Sequence, residues 1–563
     1  QMDQMPLTPN GKVDRRLLPA PEENVQTGRD YVEPRTSVEE QLLSVWQDVL
    51  GVYKISIKDP FFDVGGNSLR ATKLVSKINE KMNVSVSVRN VFELLTIEQM
   101  AQFIDHMEER NVFVSIPKAV EKEYYPISSA QMRMYIMSIK AGKELIYNMS
   151  GLFMIEGPLD RKRLEESFQQ LIRRHESLRT AFKVIHGEPK QQIHPEVNFG
   201  IEYVELTEED AEEQIQQFVR VFDLSQAPLL RVGLIELEPE RHVLLVDLHH
   251  IISDGLSVNI LMTEISELYN GAKLSPLRIQ YKDYAEWQQI QIQSDRMKEQ
   301  EKYWLNVFCE GIPLLDMPTD YERPVSLSYE GDLFEFVIEE QMIEDFRTME
   351  GLTGTTLYMI LLAAYTILLS KYSGQEDIIV GAPIAGRTHA EIEPIIGMFV
   401  NTLALRNYPS GEKTFTEYLL EVKENMLNAY ENQDYPFEEL IKKVDITKDV
   451  RRNPLFDTMF VLQNTDVTEI QMDAVTCKPY VQNNKISKFD LTLYAEVFDY
   501  KLEAAFEFST TLFEKTTIEA MSKNLLLILT SVLQNPHIEI NKIKLVEELI
   551  TSEPLVDLIE VDF

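Results

Sequence analysis

The chain has 563 residues, 44% of them hydrophobic, which excludes a mainly disordered polypeptide and exceeds what one hydrophobic core can organise. Lys and Arg number 55 against 91 Asp and Glu, and the net charge of −36 argues against nucleic acid or an anionic membrane as the main partner. Two cysteines, Cys309 and Cys477, cannot build a disulfide framework and, with no signal-peptide pattern at the start, favour a reducing, cytoplasmic setting.

Residues 1–30 are rich in proline and charge and read as loop and linker. A helix is expected from Ser37, which stands as N-cap with Glu40 at capping-box spacing, ahead of an apolar stripe of Leu42, Leu43, Val45, Trp46, Val49 and Leu50. After a loop over Gly51 to Gly66, a second helix carries Leu69, Leu74, Val75 and Ile78 on its apolar face. A short turn over Phe92 to Leu95 and a last helix over Ile97 to Ile104 complete a small four-helix bundle at 31–108. A polar linker follows at 109–124.

From Tyr125 the pattern turns to mixed α/β. Helices such as Leu164 to Arg174 and Ile343 to Met349 alternate with strand-like runs at Leu152 to Ile155, His242 to Leu248, Leu333 to Ile338 and Asp377 to Val380. The apolar run Leu357 to Leu369 is too short to cross a bilayer and fits a buried helix. So long an α/β region, 125–545, predicts two lobes, about 125–310 and about 311–545, because Glu310 to Ser328 carries three prolines and little periodicity. A terminal linker is expected at 546–563, and no internal repeat is visible.

Two motifs carry chemistry. The first is Asp63 to Leu69, DVGGNSL, where Ser68 follows two glycines and opens a helix. A helix N-terminus offers free N–H groups and a positive dipole end, which suits a phosphodiester on a serine hydroxyl. A Ser N-cap after a glycine loop is the structural alternative. The second is His249 to Gly255, HHIISDG, just past an apolar strand. His250 can exchange a proton near neutral pH. Asp254 can orient that ring, ligate a metal or pair with a distant arginine, and Gly255 lets a substrate approach the backbone. A pair of strand-end histidines beside a solvated Asp is the structural alternative. A zinc site is the weaker rival, because no further His, Cys or Glu cluster stands at ligand spacing, and no metal is expected.

The run DPFFDVGGNSLRATKLVSKI resembles the peptidyl carrier protein of nonribosomal peptide synthetases. The resemblance implies covalent 4′-phosphopantetheine on Ser68, added by a phosphopantetheinyl transferase. The region from Tyr125 to about Pro536 resembles the condensation domain of the same synthetases. That likeness rests on SSAQMRMY, RRHESLRTAF, HHIISDG, YKDYAEW, IGMFVNTLALR, NQDYPFEEL and RRNPLFDTMF, in that order. Asn432 departs from the histidine that is commoner there. The opening MPLTPNGKVDRRLLP is similar to the last motif of an adenylation domain, with Lys12 as its adenylate-contacting lysine. The chain thus resembles a piece of a bacterial synthetase of the tyrocidine type.

What the likeness implies is a multidomain chain: a four-helix carrier, then two chloramphenicol-acetyltransferase-like lobes in a V with a tunnel between them. The Ser68 thioester would donate an aminoacyl or peptidyl group to the amine of an aminoacyl group on a downstream carrier, forming an amide. His250 would act on that amine, either as general base or by positioning it and stabilising developing charge. His249 would support the loop, Asp254 would pair with Arg387, and Arg133 would shape the site. Adjacent adenylation domains are the other expected partners, and domain order implies L-configured donor and acceptor residues. An epimerisation domain shares HHxxxDG, but GGNS in place of GGDS and IGMFVNTLALR count against it. A carrier and docking scaffold without activity is the rival from another class.

Overall fold

The computed structural model describes residues 30–107, 114–141, 145–446, 449–463, 470–480, 485–498 and 501–546. The adenylation-like opening with Lys12 and 547–563 of the expected terminal linker lie outside the described residues, as do 108–113 around the expected linker between the domains. The chain divides between Val114 and Ser115 into two units.

The first unit holds helices α1 (Ser37–Leu50), α2 (Ser68–Met82), α3 (Val88–Glu93) and α4 (Ile97–Asp105). The caps fall one residue earlier than the sequence reading places them. Thr36, not Ser37, caps α1 by accepting from the Glu39 N–H, and Asn67 caps α2 by accepting from the Arg70 N–H at 2.8 Å. In both cases two adjacent polar residues can cap, and the one that is still extended does so. Residues 88–93, expected in part as a turn, form the short α3 behind a Ser87–Asn90 capping box. Leu42, Trp46, Phe61, Leu74, Ile78, Val91 and Met100 fill the bundle, with the Phe61 ring edge-on to Trp46 at 5.1 Å. Leu69 and Val75, expected on the buried face of α2, are only half-buried.

The second unit contains a three-stranded sheet and two six-stranded sheets. In one large sheet the strand Arg241–His249 lies between Asn148–Glu156 and Leu230–Glu238, so both its edges are paired, and its side chains are buried on both faces from His242 onward. Burial on both faces explains the apolar run Val243–Val246 where a half-exposed strand would alternate. The other large sheet orders Asn401–Asn407, Ile378–Ile384, Thr458–Gln463, Leu491–Phe498, Lys501–Ser509 and Gly331–Ile338. The helix Leu357–Ser373 is buried along nearly its whole length. Among the described residues no single helix is long and apolar enough to cross a membrane.

Two boundaries differ from the expectation. Val475–Pro479 leaves the C-terminal half and pairs antiparallel with Phe153–Glu156, so a late hairpin completes the early sheet and residue 310 does not part the two halves. The expected linker is also not all linker. Ser115 donates to Glu391, Ile116 N–H donates to Glu391 at 2.8 Å, and the Ala119 N–H donates to Asp283 at 2.8 Å. Ile116 itself is fully buried among Ile279, Tyr281, Ile392, Ile395 and Phe399.

Candidate functional site

His249 ends the central strand and His250 opens a one-turn 3₁₀ helix, His250–Ile252. Two backbone bonds hold the turn: His250 N–H to the Tyr147 carbonyl at 2.8 Å and Ser253 N–H to the His250 carbonyl at 3.3 Å. The two imidazoles have opposite tautomers. His249 Nδ1 accepts the Ile251 N–H at 3.1 Å, which leaves its proton on Nε2 to donate to Ser138 Oγ at 3.2 Å. His250 Nδ1 lies 2.8 Å from the Ser253 carbonyl oxygen, an acceptor, and must carry the proton. The Nε2 lone pair of His250 is therefore free. Burial pushes His250 down to about 4, helped by the nearby positive charge of Lys488, and burial takes His249 down to about 3. Both rings are neutral at cellular pH. His249 is committed to holding the turn, and His250 presents an unprotonated nitrogen.

Asp254 is buried and caps the helix Gly255–Tyr269. Its Oδ1 accepts from Ser257 N–H at 2.8 Å and Ser257 Oγ at 2.7 Å, and Oδ2 accepts from Phe399 N–H at 3.1 Å. Arg387 Nη2 reaches both oxygens at 3.2 and 3.4 Å. The other arm of Arg387 donates to the carbonyls of Ile392, Glu393 and Ile395, and its plane lies over the Phe399 ring at 4.2 Å. With every lone pair of Asp254 occupied, it cannot orient His250 directly; it anchors the helix that follows. Gly255 is exposed, and a Cβ there would meet nothing within 4 Å. Among the described residues no group of three or more His, Cys, Asp or Glu could hold a metal ion.

Several contributors escaped the sequence reading, although most stand inside motifs quoted above. Gln131 Nε2 donates to the Ile251 carbonyl, and Ser128 Oγ bonds the Tyr281 hydroxyl, which also donates to the Met398 carbonyl. Ser257 Oγ accepts the Gly397 N–H at 3.0 Å, and its one proton lies between Asp254 Oδ1 and the Gly397 carbonyl. His175 of the RRHESLR run joins Glu264, on the same helix as Ser257, at 2.8 Å. These motifs meet behind the HHIISDG turn and fix it. Arg133 pairs with Glu438 at 3.3 Å and lies over Phe437. Asn432 is occupied with the helix it ends, through Asn428, and with Trp304. A cavity of about 250 Å³ lined by Tyr135, Ser138, Tyr147, Phe182, Phe222 and His249 borders the site.

In the first unit Ser68 is the first residue of α2, and its hydroxyl has no hydrogen-bond partner. Gly65 takes φ +96°, and a Cβ on Gly66 would stand 2.3 Å from the Phe61 ring, so only glycine allows the chain to reach the helix start this closely. A residue with an uncommitted hydroxyl at the positive end of a 15-residue helix fits the attachment of a phosphodiester.

Residues 121–553 match the model of the condensation domain, and residues 40–104 match that of the phosphopantetheine attachment site. The chain belongs to the condensation-domain family. It joins that domain to a carrier domain whose cofactor is 4′-phosphopantetheine. Gramicidin S synthase 2 of Aneurinibacillus migulanus is 47% identical over 549 residues, 97% of this chain and 12% of that protein. Tyrocidine synthase 3 of Brevibacillus parabrevis is 47% identical over 548 residues, 97% of this chain and 8% of that one. The chain thus spans about an eighth or less of these relatives. Among solved structures, the X-domain from teicoplanin biosynthesis superposes with TM-score 0.72 at 22% identity, covering 77% of this chain and all of that one. A four-domain nonribosomal peptide synthetase bound to AMP and glycine gives 0.68 at 20% identity, over 76% of this chain and 34% of that chain. Both share the condensation-domain fold.

Gly255 allows a test that separates fold from passage. Gly255→Ala should leave the melting temperature unchanged or slightly raised, since alanine suits the first turn of a helix and meets no neighbour here. If a reactant passes through this open space, turnover at the site should nevertheless fall by roughly tenfold or more, since small misplacements of reacting groups are costly. Equal turnover in the two proteins would show that this open space is not on the substrate path.

Proposed function

We propose that the chain forms amide bonds in nonribosomal peptide synthesis. Ser68 carries the phosphopantetheine arm, whose thiol holds a donor aminoacyl or peptidyl group. A downstream carrier presents the acceptor amine. The observation that carries this reading is the free Nε2 of a neutral His250, held in one tautomer by Ser253, in a chain that also contains a carrier domain. As the amine nitrogen bonds to the thioester carbon, its N–H becomes more acidic, and His250 Nε2 accepts it. A nitrogen as weakly basic as this one serves first as a hydrogen-bond acceptor that aims the amine, and as a base only once the C–N bond is forming. Collapse of the intermediate breaks the C–S bond, returns the proton to the leaving thiol and passes the chain to the acceptor.

An epimerisation reading would need a group acting on the donor's α-carbon, and the free Nε2 alone offers a weak base for a weak acid. The partners proposed are adenylation domains that load the carriers, the downstream carrier, and a phosphopantetheinyl transferase that installs the arm. The setting proposed is the cytoplasm, with L-configured substrates and no membrane or nucleic-acid partner.

The experiment loads Ser68 with an aminoacyl-pantetheine and adds an aminoacylated separate carrier. Dipeptidyl-carrier should form, and His250→Ala should slow it by roughly 10²–10⁴-fold. Formation at the wild-type rate would remove His250 from the reaction. Loaded donor giving only racemised amino acid, without acceptor, would favour epimerisation; no product of either kind would leave a scaffold.

A further inference from the structure

Lys488 is the charged residue at this site that the reading above leaves unused. It stands between two anchored points: Ser487 N–H donates to the Tyr329 carbonyl at 3.0 Å, and Asn453 Nδ2 donates to the Lys488 carbonyl at 3.0 Å. Its Nζ lies over the Tyr147 ring at 5.7 Å. Tyr147 is also the residue whose carbonyl takes the His250 N–H at 2.8 Å, so one buried tyrosine touches both groups. The lysine comes from the C-terminal half and the histidine from the N-terminal half, and they meet there.

The surrounding charges are otherwise committed. Asp254 belongs to Arg387, and Arg133 belongs to Glu438. Lys488 makes no ion pair within 4.0 Å among the described residues; Glu507 is the nearest acid acting on it. Burial lowers the Lys488 ammonium and raises the Glu507 carboxyl, which takes hydrogen bonds from the Lys488 backbone N–H and the Ser487 side chain rather than an ion pair with the ammonium. A half-buried ammonium with no carboxylate within ion-pair distance gains from any negative charge that develops beside it. In amide formation the missing charge develops on the thioester oxygen.

We propose that Lys488 is a catalytic residue whose ammonium donates a hydrogen bond to the oxyanion formed on the thioester carbonyl. This rests on the amide-forming reading. The amine lone pair attacks the carbonyl carbon, the π pair moves to oxygen, and Lys488 holds that oxygen while His250 Nε2 takes the amine proton. The oxygen then re-forms the carbonyl as the C–S bond breaks, and the proton passes to the thiolate. Lys488 ends as it began, and it is the electrostatic half of a site in which His250 is the proton-handling half.

The test uses the full chain with a loaded Ser68 arm and a separate aminoacyl carrier. Lys488→Met should lower the single-turnover rate by roughly 10²–10³-fold, the loss typical of one oxyanion donor, with the KM for the acceptor carrier unchanged. Lys488→Arg should recover part of that rate. An NMR titration of His250 should move to higher pH in Lys488→Met, because a like charge has gone; Asp254 and His249, the other titratable groups acting on that ring, remain. A raised KM at unchanged kcat would overturn the proposal and assign Lys488 to holding the arm. Wild-type rate and KM in Lys488→Met would also overturn it. If the wild-type chain itself forms no amide, the amide-forming reading fails first. In that case an unmoved His250 titration still rejects the pairing of Lys488 with His250.

Discussion

Replacing Asp254 by alanine should destabilise the second unit by about 3–5 kcal/mol, the usual cost of removing one partner from a buried ion pair. The loss has several sources at one residue. Arg387, itself buried, would keep its three carbonyl acceptors but lose the carboxylate on Nη2. The Phe399 N–H would lose its acceptor, and the helix Gly255–Tyr269 would lose its cap. Chemical denaturation followed by circular dichroism measures the midpoint shift. A shift corresponding to less than about 1 kcal/mol would mean that Arg387 and Phe399 find other partners. A double-mutant cycle sharpens the result. Asp254→Ala with Arg387→Met should cost clearly less than the sum of the two single changes, since no uncompensated charge is then left inside. Amide formation should fall in the single mutant too, because the anchored helix begins immediately after the His250 turn.

Ser68→Ala should do the opposite: no measurable change in stability and complete loss of the cofactor. The Ser68 hydroxyl makes no hydrogen bond, Asn67 supplies the cap, and alanine is at home at the first helical position. Without the hydroxyl no phosphodiester can form. Intact-mass measurement after coenzyme A and a phosphopantetheinyl transferase should show one added phosphopantetheine on the wild-type chain and none on the variant. A mass gain that survives the substitution would move the attachment to another residue. The same variant should form no amide as donor, whatever the state of His250.

Much of this architecture was legible in the letters. The helices of the carrier announce themselves by apolar spacing and capping residues, and their errors are shifts of one position. Residues 88–93 were partly missed because six residues give too little period to read. The central strand was legible because burial on both faces leaves four apolar residues in a row, Val243–Val246. Its histidines stood out because polar groups at the end of such a run need a reason. The hairpin through Val475–Pro479 could not be assigned to the early sheet, since nothing within five residues encodes a partner more than three hundred positions away.

The sequence by itself determined the local pieces: a glycine loop leading a serine into a helix, a buried strand ending in two histidines, and the motif set that marks the family. Those depend on neighbours a few positions apart. The tertiary structure decided what each piece does. It placed the proton of His250 on Nδ1 by putting the Ser253 carbonyl 2.8 Å away, and it consumed Asp254 by bringing up Arg387 and Phe399 from more than 130 positions downstream. It also set an unpaired Lys488 beside the tyrosine that holds His250. Protonation and charge pairing depend on distances of a few ångströms between residues remote in the chain, and only the packed fold sets those distances.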